Sequence, residues 1–170
     1  QCAARGVRVT IVDEVSGPYG VVSSSNIRRA LENGDLAAAN AMLGYWFAMQ
    51  GQVIYGNQIG RSLGFPTANF LPEPGQALPR TGVYASRILH QGRLYDGVSN
   101  FGVKPTIGGE KKPLVEAHIF DADIDLYGQT LRVYFGHYLR PEKRFSGLDE
   151  LKAQIAADSL AAREFLRQHP

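Results

Sequence analysis

The chain has one cysteine, Cys2, so it can form no internal disulfide and no zinc site built on cysteines. That thiol reads as incidental, and a reducing, cytoplasmic setting agrees with it. No apolar run reaches membrane-spanning length, and no signal-peptide pattern is present. Neither sign of charge dominates: 18 Lys and Arg stand against 16 Asp and Glu, a formal +2. So small an excess gives no argument for nucleic acid or a membrane surface. Internal repeats and low-complexity tracts are missing too. The sequence also lacks an initiator Met. It opens Gln1-Cys2-Ala3-Ala4-Arg5 and runs directly into the alternating Val7 to Val12. That pattern predicts a strand entered in mid-domain, and hence a fragment with material missing from its front.

What is present suits one folded unit, or one with a small appendage: 170 residues, 44% apolar and 20% charged. Three zones succeed one another. In residues 1–44, Ser23 to Asn26 can cap a helix that Asn33-Gly34 ends. Asp35 can cap a second helix, Leu36 to Leu43, closed by Gly44. The mixed polarity of this zone predicts weak packing on the rest of the chain.

From about 45 to 139 the period changes. Segments near 46–55, 82–89, 94–100, 113–121 and 130–139 are rich in Val, Ile, Tyr and Phe, and most are bounded by Gly, Pro or Asn. Gln91-Gly92 and Gly108-Gly109 read as turns. Short strands at this spacing favour a closed antiparallel barrel or a sandwich. Trp46, the sole tryptophan, is expected in the core. The third zone is one helix, with Ser146 as its expected N-cap and Asp149 as a short-armed capping box. Leu148, Leu151, Ile155, Ala162 and Phe165 mark its apolar face.

Two stretches could carry chemistry. Gly51 to Asn69 contains Gly51, Gly56, Gly60 and Gly64, then Phe65-Pro66-Thr67-Ala68-Asn69. Glycine lets backbone approach a ligand closely, and a run of N–H groups can cradle phosphates, with Arg61 adding a charge. No Gly-Lys-Ser/Thr comes after it, so this is not a P-loop. Thr67 and Asn69 are two apart and share one face of an extended chain. Their neutral oxygens suit Mg²⁺ beside a phosphate. The plain alternative is a glycine-rich hairpin and a Pro-bounded strand, since a lone glycine-rich loop is weak evidence. The second stretch is the strand Leu114 to Asp121. Val115, Ala117 and Ile119 take one face; Leu114, Glu116, His118 and Phe120 take the other. Partial burial among large neighbours would raise the pKa of Glu116 and suit it to general-base work. A solvent-facing carboxylate on an amphipathic strand is the simpler alternative.

Other candidates fall away. Asp121, Asp123 and Asp125 begin a calcium-loop spacing, but Leu126 stands where that loop needs Gly and Arg132 where it needs Glu. A solvated turn closed by Tyr127-Gly128 is the better reading. His90, His118, His137 and His169 have no metal-site spacing. The helix pair at 26–43 has only Arg28 and Arg29 to offer DNA.

Taken together these residues resemble the riboflavin kinase (flavokinase) family. Its Gly-Phe-Pro-Thr-Ala-Asn signature stands at Gly64 to Asn69, with Gly56, Gly60 and Arg61 before it at the family's spacing. Further matches are Thr81 to Tyr84, Gly97 to Gly102 with Pro105-Thr106, Glu116 to Asp121, Asp125 to Gly128 and Tyr138 to Lys143. The likeness covers about 45–167. It implies a mainly β fold: a six-stranded antiparallel Greek-key barrel with a C-terminal helix, preceded here by a short helical stub. It implies that Thr67 and Asn69 ligate Mg²⁺, and that Gly56, Gly60, Arg61, Thr67, Asn69 and Tyr127 contact ATP. Glu116 matches the base that takes the proton of the riboflavin 5′-hydroxyl. Asn100, Lys111, Lys112, Leu114 and Arg144 fall on the flavin side, near loops 106–115 and 140–149 that match flaps.

Residues 1–44 resemble the tail of a bacterial FMN adenylyltransferase domain. Val22 to Arg28 looks like its closing Ser-Ser-Thr-x-x-Arg motif, with Ser25 in place of Thr. The His-x-Gly-His motif of that domain is absent from this sequence, so adenylyltransferase activity is not expected of it. The expected division is thus 1–44 as remnant and 45–170 as kinase domain, with riboflavin, FMN, ATP and ADP as partners and no obligate protein partner. Two rivals stay open. A non-catalytic flavin-binding module would retain FMN without consuming ATP. An oligonucleotide-binding barrel would need a basic and aromatic stripe, which the near-neutral charge disfavours.

Overall fold

Residues 3–6, 8–56, 60, 63–105, 111–122 and 124–170 are described in a computed structural model of the chain. A single 3₁₀ turn at Ala3–Arg5 opens it. The alternating segment after that turn forms no strand. Residues 8–15 are irregular and exposed, with Ile11 and Val12 more than four-fifths open to solvent. Alternation favours a strand only where a neighbouring strand can pair with it and a core can take its apolar face. Among the described residues the strand pairing here is the two-residue hairpin of β1 (Ser16–Gly17) and β2 (Gly20–Val21).

The helix signals act where the sequence places them. Helix α1 (Ser24–Asn33) has Ser23 as N-cap, its side chain accepting from the Asn26 amide, and Gly34 in the left-handed region as C-cap. Helix α2 (Leu36–Leu43) has the Asp35 side chain accepting from the Ala38 amide and ends at Gly44.

The expected weak packing of this pair is not found. Ala30, Leu31, Leu36, Ala38 and Ala39 are buried in one continuous cluster with Phe47, Met49, Tyr84 and Phe135 of the barrel. Asn40 stitches the junction. Its Nδ2 donates to the Phe135 carbonyl at 3.0 Å, and its Oδ1 accepts from the Phe47 amide at 2.7 Å. The Arg80 amide also donates to the Leu31 carbonyl at 2.9 Å. Overall polarity misjudged the pair because α1 is strongly two-sided and its few large apolar residues all face inward.

Six strands close a barrel: β3 (Ala48–Ile54), β4 (Ala68–Phe70), β5 (Gly82–His90), β6 (Arg93–Pro105), β7 (Lys111–Ile119) and β8 (Thr130–Arg140). Their order around it is β3-β4-β7-β6-β5-β8, and every pairing is antiparallel. The meander β5-β6-β7, with β8 returning beside β5, is a Greek key. The β5–β6 turn is Gln91-Gly92, both at positive φ, as the dipeptide predicts.

The interior is filled by Met49, Val53, Phe70, Tyr84, Ile88, Phe101, Val115, Leu131, Val133 and Phe135. Tyr84 reaches the Arg80 carbonyl from within it, and burial pushes its hydroxyl well above the ordinary tyrosine value. Strand β5 is buried on both faces, because helix α3 (Leu148–Gln168) covers Val83 and Ala85 from outside. Ala162 and Leu166 of α3 pack there with Val98 and Phe120. Trp46 lies ahead of β3 and packs half-buried against Phe165 of α3, outside the barrel. The N-cap of α3 is Gly147, one residue later than expected. The Ser146 amide and hydroxyl instead donate to the Glu150 carboxylate.

Candidate active site

The glycine-rich segment leaves β3 and returns as β4. Gly56 lies so close to Asn69 that a Cβ built on it would stand 1.9 Å from Asn69 Nδ2. A Cβ on Gly60 would stand 2.3 Å from the Phe65 carbonyl, while the Gly60 carbonyl accepts from the amides of Leu63 and Phe65. Glycine at both positions is a packing requirement of the loop. Arg61 lies outside the described residues.

Strand register then assembles the centre. Asn69 on β4 pairs with Glu116 on β7, and Glu116 pairs with Asn100 on β6. All three occur at the parity opposite to the barrel-filling Phe70, Val115 and Phe101, so they share the outer face. Asn69 is 6% exposed, and its Oδ1 has no hydrogen-bond partner among the described residues. Buried polar atoms are nearly always paired, so an orphan acceptor beside a phosphate-type loop fits a cation or donor supplied by a ligand. Glu116 is partly exposed. Its Oε2 accepts from Lys104 Nζ at 2.7 Å and from Asn100 Nδ2 at 3.3 Å. Asn100 Nδ2 also donates to Glu142 Oε1 at 3.2 Å. Beside the apolar Leu63, Phe65 and Phe145 that line the same cavity, the direct partners of Glu116 are thus an amide and a lysine.

Two cavities lie near this row, and Thr67 is the residue they share. One, of about 290 Å³, opens at the barrel end between Val53, Ala68 and Ala117 and the loop carrying Asp125 and Tyr127. Asp125 Oδ1 accepts from the Tyr127 amide, and the Tyr127 ring stacks on Tyr55 with centroids 3.9 Å apart. The other, of about 350 Å³, lies between the outer face of the sheet, residues 60–67, and α3 with its preceding segment. Asn100, Lys104, Glu116, Glu142, Phe145 and Ile155 are among its walls. Thr67 lines both cavities.

Arg140 and Asp158 close the second cavity. They form a bidentate pair at 2.8 and 2.7 Å, with Gln154 also donating to Asp158. Just outside, the Lys143 ammonium and the Ser146 N–H and O–H hold the Glu150 carboxyl down at about 2.

The structure brings together Gly56, Gly60, Thr67, Asn69, Asn100 and Glu116, with Tyr127 across the first cavity. Lys111 and Lys112 are exposed at the start of β7 and line neither cavity, and Arg144 is exposed beyond the second. Leu114 is half-buried opposite Gly102. Sequence reasoning missed Lys104, Glu142 and the Arg140–Asp158 pair. Lys104 carried a signal, since it lies four residues from Asn100 and so on the same face of β6. Glu142 and Asp158 carried none, because their partners are 42 and 18 residues away.

A closed Greek-key barrel with Thr67 between two cavities, and with Asn69 and the Glu116 carboxylate beside it, defines the class of fold and site. The chain belongs to the riboflavin kinase family: the family's sequence pattern, Flavokinase, matches residues 43–166. Over 145 residues the chain is 46% identical to the bifunctional riboflavin kinase/FMN adenylyltransferase of Escherichia coli (strain K12), covering 85% of this chain and 46% of that protein. It is 38% identical to the protein of that name from Bacillus subtilis (strain 168), covering 90% and 49%. The chain thus spans about half the length of the curated relatives it matches. A solved structure described as a macrolide-efflux protein from Streptococcus pneumoniae superposes with a TM-score of 0.84 at 33% identity, covering 93% of this chain and 52% of that one. Efflux is said of that protein. Among the described residues here, no helix is long and apolar enough to cross a membrane.

Proposed function

We propose that this chain transfers the γ-phosphoryl group of ATP to the 5′-hydroxyl of riboflavin, giving FMN and ADP. Family membership supports the reaction, and the observation that carries the site is Thr67 shared between two cavities, beside the Asn69–Glu116–Asn100 row. A transfer enzyme needs its two substrates to meet at such a junction. The cavity at Tyr127 is assigned to the nucleotide and the cavity under α3 to the flavin.

Glu116 accepts the hydroxyl proton as the ribityl oxygen bonds to the γ-phosphorus. The bond from that phosphorus to the β,γ-bridging oxygen breaks, and its electron pair leaves with ADP. Backbone N–H groups of the glycine-rich segment face the phosphates, with Gly56, Gly60 and Arg61 as nucleotide contacts. Thr67 and Asn69 would hold Mg²⁺; the unpaired Asn69 Oδ1 supports that fit, and the ion would neutralise phosphate charge. On the flavin side we keep Asn100 as a contact, with Lys111, Lys112, Leu114 and Arg144 as outer contacts. Residues 1–44 are assigned to the end of an adenylyltransferase domain.

The test is one assay with riboflavin, ATP and Mg²⁺, reading FMN and ADP together. We expect both to form in equal amounts, and Glu116→Gln to lower kcat about 100-fold or more with the fold intact. FMN binding with no ADP release would instead identify a flavin-binding module. Full turnover in Glu116→Gln would remove the base assignment.

A further inference from the structure

The carboxylate of Glu116 is held unevenly. Both of its hydrogen bonds fall on one oxygen, Oε2, from Lys104 and Asn100. Its other oxygen accepts nothing from the described residues. Lys104 reaches it along β6. The residue between Asn100 and Lys104 on the same face is Gly102, which has no side chain to intervene. Gly102 is fixed as glycine from the other side, because a Cβ there would stand 2.5 Å from Glu142 Oε1. Glu142 in turn takes the second bond of Asn100. Strand β6 therefore holds Glu116 through one oxygen, with Glu142 steadying Asn100, and the other oxygen takes no bond among the described residues.

The ion pair gives little to stability. Lys104 is 50% exposed and Glu116 26%, and a pair so open to water is largely screened. Its short contact is better explained by what it does to the carboxylate. A charge-assisted bond to one oxygen fixes the rotation of the group about its Cγ–Cδ bond, so that its other oxygen has a set direction.

We propose that Lys104 is a positioning residue for the phosphoryl transfer: it pins Oε2 of Glu116 so that the other oxygen meets the acceptor hydroxyl. The inference rests on the function proposed above. Lys104 holds the base and does not bind nucleotide, so its loss falls on kcat, while KM for ATP stays nearly constant. The bond needs a cation with a directed N–H, which arginine also supplies.

Three variants test this in the riboflavin, ATP and Mg²⁺ assay on the whole chain. Lys104→Met is expected to lower kcat about tenfold or more, with KM for ATP within about threefold. Lys104→Arg is expected to recover most of the loss. Thermal unfolding of both should stay within about 3 °C of the parent, as for any exposed pair. Should Lys104→Met melt early, Lys104→Gln replaces it. A kcat within threefold of the parent in the neutral variant overturns the proposal. So does a Lys104→Arg variant as slow as Lys104→Met, or a loss confined to KM for ATP. Failure of the function itself looks different: the parent chain makes no FMN, or Glu116→Gln turns over normally.

Discussion

At the scale of single residues, the site depends on side chains that are missing as much as on those present. Gly56 and Asn69 occupy space that a methyl group would claim, since its nearest atom would be the Asn69 amide nitrogen 1.9 Å away. Gly56→Ala must displace Asn69 or move the loop. Overpacking of this kind costs about 1–3 kcal/mol. The functional loss should exceed what that destabilisation explains, because Asn69 is one of the two assigned Mg²⁺ ligands. We expect kcat/KM for ATP to fall about tenfold or more while the chain stays folded at 25 °C, measured by steady-state kinetics beside circular dichroism. Unchanged use of ATP would separate Asn69 from the phosphates.

At the scale of elements, the cavity under α3 exists because that helix is held on the barrel. Apolar packing at Val83, Ala85, Val98, Ala162 and Leu166 supplies the adhesion. Arg140 and Asp158 set the position of the helix, with two short bonds between side chains that are 20% and 8% exposed. Removing one partner leaves the other charge uncompensated in a site with little water. Asp158→Ala is therefore expected to cost about 3 kcal/mol in urea unfolding. The double variant Arg140→Met with Asp158→Leu should recover most of that stability, since neither charge is then stranded. If the double variant is as weak as the single, the pair stabilises by more than mutual neutralisation.

At the scale of the whole molecule, helices α1 and α2 and the barrel share one core. Leu31 is 1% exposed in the same cluster as Phe47, Tyr84 and Phe135. Leu31→Ala should cost about 3 kcal/mol. Trp46, which packs outside the barrel against Phe165 and beside Gly136 of β8, should report the same transition as far-ultraviolet circular dichroism. Two separated transitions would show that the helices melt alone. The helices flank the start of β3, whereas the loop of Asp125 and Tyr127 flanks its end, where the Gly128 amide donates to the Val53 carbonyl at 3.0 Å. One end of the barrel is therefore covered by the helices, and the other opens into the cavity of about 290 Å³ beside Tyr127.

The features that the sequence determined by itself come from local rules. Caps and left-handed glycines set the end of α1 and both ends of α2 to the residue, and Gln91-Gly92 set the β5–β6 turn. Apolar and aromatic content located five of the six strands, all but β6 to within two residues of their ends; β6 runs on to Pro105, beyond the expected 94–100. The short β4 was legible only as the strand carrying Thr67 and Asn69. The resemblance to the riboflavin kinase family is what singled out Thr67, Asn69 and Glu116 as candidates, and strand register brings Asn69 and Glu116 side by side. Tertiary structure decided the rest. It left Val9 to Val12 unpaired, since alternation makes no strand without a neighbour. It buried the helical pair, since burial depends on the placement of a few apolar side chains and not on mean polarity. It also put Lys104 and Asn100 on Glu116, and Glu142 on Asn100. Strand register and chain closure set those contacts, and both are properties of pairs of segments that no single segment encodes.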